Sequence, residues 1–552
     1  MSTLNLLSSL VGLQLVSRLF TFVLNQALLR LASPEAYGTA SIQFELLVNS
    51  ILSLSRTGIR NALLRTDNLR VIPDNHEKKK GGNNAENNEA YEKTLRLAHV
   101  PFMIGIPLAL ASYVGHTWSA SEETSRQPYF SVALGMYAFS AVVELLTEPM
   151  HNLAQAQSRT NLRLRAEGLG VVLRTAVTFL VLLFDYQTGL NGRLALIGFS
   201  LGQLTYALVA VAIYASHYGF GKLWPDVSGL KSPKTSLDQG SLKVAKEMTW
   251  QSLIKLFLSE GDKVLLLWLV NLQDQGGYAV ASNYGSLIAR IVLMPLDEAT
   301  RVFFAKAVSA TPSSSDEPHS KEDPTIPVPH FFTNLLRTIL TSSLLLLTLA
   351  PPYLPHVLSL LLPARYASTS APSILHAWIF YIPFLALNGV LEAFYSAVAD
   401  AKALARQSRY MILFSAVFIG SATLLFKLTN LGDASLIYAN IVGMGARIIF
   451  CSAYADGWFK ARQEKEENGG EVMRWRDVVP KTNVVLVIAC ARMLVRADEA
   501  RVKLEDVGGG VSRGMLEHLG VGAGLGLVCV GVWSMVDGRA ILQGRGRKVK
   551  GN

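Results

Sequence analysis

APSILHAWIFYIPFLALNGVLEAFYSAV, Ala371 to Val398, decides the fold class: its 28 residues carry one formal charge, Glu392. About 20 apolar helical residues cross a hydrocarbon core of roughly 30 Å, so this stretch is read as a membrane span. Runs of the same character mark fourteen candidate spans: 6–30, 36–55, 97–115, 129–150, 166–184, 194–216, 247–270, 278–300, 331–350, 371–398, 410–426, 435–456, 482–495 and 517–537. The segment 482–495 is the shortest. Residues 351–363, broken by Pro351, Pro352, Pro355 and Pro363, are read as a short re-entrant or interfacial element, because proline removes donors that lipid cannot replace. Barrel strands would alternate over about 10 residues, and these runs are longer and continuous.

Composition agrees. Of 552 residues, 17% are charged and 50% apolar, with mean hydropathy +0.30; soluble domains carry roughly 25% charge. A soluble enzyme, a disordered chain and a fibrous chain are excluded. The expected class is an all-α polytopic membrane protein. Met1 to Leu7 lacks the basic segment of a cleaved signal and runs straight into the first span.

Charge sets the orientation. Nine of the 51 Lys and Arg lie inside spans; loops after even-numbered spans plus the tail hold 34, and the other loops hold 8. Cytosolic loops carry the positive excess, so both termini are expected in the cytosol. The net charge of +10 then reflects this bias, and no nucleic-acid partner is expected. The 65–95 loop, with Lys78 to Lys80 and the run GGNNAENNEA, is read as disordered. Lys548 and Lys550, fifth and third from the end, are placed as a dilysine-type retrieval signal, read only from the cytosol; a chance basic tail is the alternative.

The halves echo one another. At an offset of 241, Tyr37 to Ser41 falls on Tyr278 to Ser282, and Arg60 on Arg301. Glu148 with Ala154-x-Ala156 resembles Glu392 with Ala397-x-Ala399. The expected organisation is a six-span lobe 1–216, an interlobe linker 217–246, a second six-span lobe 247–456, a cytosolic loop 457–481, two additional helices in 482–537 and a basic tail 538–552. Even span counts keep both lobes in one orientation, as parallel repeats around a central cavity.

Polar residues stripe the spans. Ionisable groups at membrane depth cost roughly 3 kcal/mol each, so they face protein or water. Gln14, Arg18 and Asn25 share one face of the first span, and Glu45, Asn49 and Arg56 repeat that spacing in the second. Gln251, Lys255 and Asp262 do so in the seventh, beside Glu260 and Lys263. Asn283, Ser286 and Arg290 stripe the eighth; Asn388 and Glu392 the tenth; Asn440 and Arg447 the twelfth. These residues are expected to line a hydrophilic, Arg-rich cavity; the structural alternative is polar contacts between helices. Arg30, Arg337 and Arg492 are read as snorkelling anchors. Glu144 and Glu148 are read either as cavity residues or as partners of Arg159 and Arg163. Cys451, Cys490 and Cys529 lie in apolar runs without metal-ligand spacing and are read as buried hydrophobes. No P-loop, HExxH, CxxC or GxSxG motif occurs, so no cofactor, metal or enzyme activity is expected.

The run VSRLFTFVLNQALLRLASPEAYGTASIQFELLVNSILSLSRTGIR (Val16 to Arg60) resembles the endoplasmic-reticulum Rft1-type family. Further matching pieces are Asn152 to Arg174, Ser259 to Lys263, Tyr284 to Glu298, Ala386 to Phe394 and Asn440 to Ile448. The family is similar to the superfamily of multidrug extruders and lipid-linked-sugar flippases. The resemblance implies passage of a dolichol-diphosphate-linked oligosaccharide from the cytosolic to the lumenal leaflet, for protein N-glycosylation. It also implies contact with other proteins of that pathway. Arg18, Arg290 and Arg447 would hold the diphosphate, since guanidinium forks suit phosphate oxygens. Gln14, Asn25, Glu45, Arg56, Arg60, Lys255, Glu260, Asp262, Lys263, Asn388, Glu392 and Asn440 would complete the cavity. A non-transporting organiser of the same pathway and an ion-coupled small-molecule extruder are the alternatives. The 65–95 and 311–328 loops and the 457–516 region depart from the family pattern.

Overall fold

A computed structural model describes residues 23–63, 82–157, 159–222, 260–309, 328–463, 473–505 and 513–538, with 246, 248, 249, 253 and 256. Among them every regular element is helical. Among the described residues ten helices are long and apolar enough to cross a membrane, or eleven if a bent pair counts as one span. Two compact units divide the chain, Met1–Ala279 and Val280–Asn552, with the boundary inside a helix.

In the first unit, α1 (23–31) leads into α2, built from Pro34–Gly38, the wider turn Thr39–Phe44 and Glu45–Leu63. Ser33 starts α2 because its Oγ accepts the Ala36 N–H at 3.3 Å, and Pro34 has no N–H to satisfy. Next come α3 (Gly82–Ser119), α4 (Phe130–Leu145), α5 (Glu148–Ala156), α6 (Thr160–Gln187), α7 (Ala195–Tyr218) and α8 (260–269). Part of the loop expected at 65–95 is therefore helical: α3 begins at Gly82, so Ala85 to Ala90 extend the helix N-terminally of its apolar span. Ala and Glu propagate a helix at little cost once a span has nucleated it. The α4–α5 junction bends by 42°. Phe44, Tyr137 and Phe130 meet in the core of this unit.

α9 (Leu272–Ile288, the wider turn Ala289–Leu293, then Met294–Ser309) straddles the boundary between the units. The second unit continues with α10 (Val328–Leu361), α11 (Ala371–Val398), α12 (Ala401–Leu428), α13 (Ser435–Gln463), α14 (Thr482–Glu505) and α15 (Arg513–Trp533). Its core is aromatic: Phe332 and Phe304 pack on Phe394 at 4.7 and 5.0 Å.

The proline run at 351–363 is not a separate element. α10 passes through Pro351, Pro352 and Pro355 and ends at Leu361. A proline at 352 has no N–H for the Thr348 carbonyl four residues earlier. Arg492 of α14 donates to that carbonyl instead. So Arg492 is not a snorkelling anchor; it satisfies an acceptor that the proline leaves bare. Arg337 reaches the turn at the end of its span, where its Nε donates to the Asp477 carbonyl at 2.8 Å. Restoring the missing donor makes a test. Arg492→Met should lower stability by about 1–3 kcal/mol, the cost of an unsatisfied buried acceptor. In a Pro352→Ala background the same change should cost clearly less, as read by a double-mutant cycle of thermal unfolding.

Cys451 and Cys529 are buried, but Cys490 is exposed. It sits on the outward side of α14 with Leu486 and Met493, themselves 58% and 71% exposed. An apolar run does not tell a lipid-facing side from a buried one.

Candidate functional site

The charged residues of α2 do not stand alone. Arg56 and Arg60 are one turn apart, and so are Glu144 and Glu148 on either side of the α4–α5 bend. Matched spacing joins them. Arg56 Nη1 donates to Glu144 Oε1 at 2.6 Å and reaches Glu148 Oε1 at 3.5 Å. Arg60 grips Glu148 with a fork, Nε to Oε2 at 2.7 Å and Nη2 to Oε1 at 2.5 Å. The Glu148 side chain is fully buried, and the two arginines are 22% and 23% exposed. Two cations thus face two carboxylates, bidentately at one of them. This corrects the expected partners of Glu144 and Glu148: Arg159 lies against His217 and Arg163 near Glu167.

Higher on α2, Glu45 follows the wider turn directly and accepts from Arg174 of α6 at 3.2 Å. Sequence reading left Arg174 out of the site, although it stood as a cation inside a span. Asn49 donates to Glu260 Oε1 at 3.1 Å, while Lys263 pairs with Glu260 at 2.8 Å. The Asp262 carboxylate accepts the Lys263 N–H at 2.9 Å. The first unit therefore gathers Glu45, Asn49, Arg56, Arg60, Glu260, Asp262 and Lys263 into local ion pairs and hydrogen bonds.

The start of α2 meets the start of α9 still more closely. A Cβ on Gly276 would lie 2.0 Å from the Pro34 carbonyl oxygen, and one on Gly38 would lie 2.6 Å from the Gly276 nitrogen. Only glycine permits this approach of backbone to backbone. Gln43 Nε2 donates to Gln275 Oε1 at 3.1 Å beside it, both side chains buried.

In the second unit, Asn388 donates to Glu392 at 3.1 Å, and the Asp297 carboxylate lies against Gly389, where a Cβ would sit 2.4 Å from it. Asp297 was not singled out from the sequence; its place in the acidic pair Asp297-Glu298 was the available signal. Arg290 lies in the wider turn of α9 and folds back on its own helix, onto the Asn283 carbonyl at 2.9 Å and Oδ1 at 2.8 Å. Asn440 donates to the Leu436 carbonyl at 3.2 Å. Arg447, half-buried near the middle of α13, has no hydrogen bond or ion pair among the described residues. Asn25 is half-buried on α1. Gln14, Arg18, Lys255, Lys548 and Lys550 lie outside the described residues.

Comparison with known proteins agrees with this architecture. A family model described as "Rft protein" matches residues 2–545. The Yarrowia lipolytica Man(5)GlcNAc(2)-PP-dolichol translocation protein RFT1 is 30% identical over 512 residues, covering 87% of this chain and 73% of its own length. A mouse protein of the same name is 29% identical over 485 residues, covering 82% of each chain. Among solved structures, the lipid II flippase MurJ in an inward closed conformation aligns at a TM-score of 0.59 and 13% identity, covering 96% of this chain and 99% of its own. An inward-facing multidrug transporter of the MATE family aligns at 0.52 and 12%, covering 81% and 96%. At such identities the likeness is one of fold.

Proposed function

The chain belongs to the Rft protein family, and from that membership we propose that it carries a dolichol-diphosphate-linked oligosaccharide across the endoplasmic-reticulum membrane. Passage runs from the cytosolic to the lumenal leaflet and supplies protein N-glycosylation. The reading is of a transporter, not an enzyme. It includes fourteen spans, arranged as six-span lobes 1–216 and 247–456 with two further helices, both termini cytosolic, and Lys548 and Lys550 as the retrieval signal.

The observation that carries it is Arg447. A guanidinium half-buried at mid-helix, making no direct ion pair among the described residues, is costly unless an anion visits it. A diphosphate is such an anion, and it can be held by two parallel hydrogen bonds. Arg18 and Arg290 are assigned the same role; Glu260, Asp262 and Glu392 balance charge in the unloaded state. The remaining polar groups, Asn388 and Asn440 among them, are suited to sugar hydroxyls.

Purified protein in liposomes tests the transport reading. Protein-dependent translocation of the dolichol-linked sugar is expected. Its absence in a folded preparation, with glycosylation still dependent on the protein in cells, would favour an organiser of the pathway. For the residues, Arg447→Ala is expected to lower translocation per molecule by about tenfold, the loss of charge-assisted hydrogen bonds. Arg447→Lys should rescue poorly, because an ammonium cannot make the fork. Abundance and N-glycan occupancy are measured side by side, with Arg18→Ala and Arg290→Ala. Occupancy that simply tracks abundance in all three would reassign these arginines to helix packing.

A further inference from the structure

Along α13, Ile448, Ser452, Asp456 and Lys460 follow one another at helical spacing and change from apolar to charged. At 1.5 Å per residue this stripe covers about 18 Å; one leaflet of a roughly 30 Å core is about 15 Å deep. The stripe forms one wall of a groove of about 710 Å³ within the second unit. Leu336 and Leu340 of α10 and Leu387 and Leu391 of α11 form the other walls. The short turn Trp475–Val478 closes the charged end.

The depth of the groove is apolar, and its mouth holds Lys460, Asp456 and the Trp475 indole. Asp456 accepts the Trp475 indole N–H at 3.1 Å and pairs with Lys460 at 2.7 Å. Arg337 pins the turn through the Asp477 carbonyl. The Lys460 side chain is 69% exposed. An ammonium has three donors, so the one spent on Asp456 leaves two facing outward. Arg462 lies over Trp458 at 5.3 Å, and Arg474 and Arg476 are exposed nearby in sequence. Described residues 456–463 and 473–481 hold five cations, Lys460, Arg462, Arg474, Arg476 and Lys481, against two carboxylates, Asp456 and Asp477.

We propose that this groove binds an anionic phospholipid of the surrounding bilayer. One acyl chain lies against the leucines of α10 and α11, and the phosphate sits at Lys460 beside the Trp475 indole. The surplus of cations selects an anionic over a zwitterionic headgroup, as basic clusters at span ends do. The apolar depth selects a lipid over a soluble anion. Trp475 has the amphipathic ring that settles at headgroup level. The site is separate from the proposed transport residues, so it stands or falls independently of them.

Thermal unfolding of the purified full-length chain in detergent, with lipid added, tests it. The probes are dioleoyl phosphatidylinositol, dioleoyl phosphatidylcholine, dolichyl phosphate and tail-free glycerophosphoinositol. Phosphatidylinositol is expected to raise the Tm and to bind about tenfold more tightly than phosphatidylcholine. Glycerophosphoinositol should have no effect. Lys460→Glu should remove the preference while leaving the lipid-free Tm unchanged, since an exposed ion pair adds little stability. Ile449→Trp, at a groove position that is 71% exposed, should weaken both phospholipids by filling the apolar end. Equal shifts from the two phospholipids, a preference that survives Lys460→Glu, an equal shift from the headgroup alone, or stronger binding of dolichyl phosphate would each overturn the assignment.

Discussion

Glu148→Ala is expected to deplete the folded protein more than any other single change in the buried ion-pair network. Glu148 has no solvent exposure and holds both Arg60, through a fork, and Arg56. Removing it leaves two guanidiniums against one remaining carboxylate, Glu144. Breaking a buried pair from one side costs about 3–5 kcal/mol, a large part of a typical stability of about 5–15 kcal/mol. Glu144→Ala should be milder, because Arg56 retains Glu148 at 3.5 Å. A second variant separates folding from function. Replacing Glu144, Glu148, Arg56 and Arg60 together by apolar residues of similar volume removes every unpaired charge, and abundance should recover. If N-glycan occupancy recovers with it, the network is structural; if occupancy stays low at normal abundance, the network serves transport. Detergent-extracted yield and occupancy in cells supply the two readings.

Gly276→Ala is the second large effect. The added carbon would stand 2.0 Å from the Pro34 oxygen, and a backbone carbonyl cannot rotate away as a side chain can. The starts of α2 and α9 must therefore separate, which should break the Gln43–Gln275 hydrogen bond. Overpacking of this kind costs about 1–3 kcal/mol. The control is Gly524→Ala on α15, where an added Cβ meets nothing within 4 Å. Alanine at a mid-helix position is favoured over glycine by roughly 0.5–1 kcal/mol, so that variant should unfold at the same temperature or higher. Equal unfolding temperatures for the two variants would mean that the glycine–glycine approach is not tight in the folded protein.

The spans were legible because helix formation in lipid is a local matter. Apolar length and proline spacing set it, and Ala371 to Val398 is a helix over those residues. The resemblance carried by Val16 to Arg60 likewise needed no coordinates. Even so, the helix over the span expected at 36–55 runs on to Leu63, since Arg56 and Arg60 find carboxylates and need not mark its end. The proline run misled for a related reason. The lost N–H of Pro352 is harmless to α10 because a cation 144 residues away reaches the Thr348 carbonyl.

What the chain order alone determined was which residues enter the membrane and which cations and anions enter with them. Partners were settled only in three dimensions. Arg56 and Glu144 are 88 residues apart, and no periodicity connects α2 with the α4–α5 bend, so Glu144 and Glu148 read either as cavity residues or as partners of the nearby Arg159 and Arg163. The inward and outward sides of a span were equally hidden. In water, a polar face marks the outside of a helix; in lipid both sides are apolar. Cys490, Leu486 and Met493 therefore read like core residues until packing turned them outward.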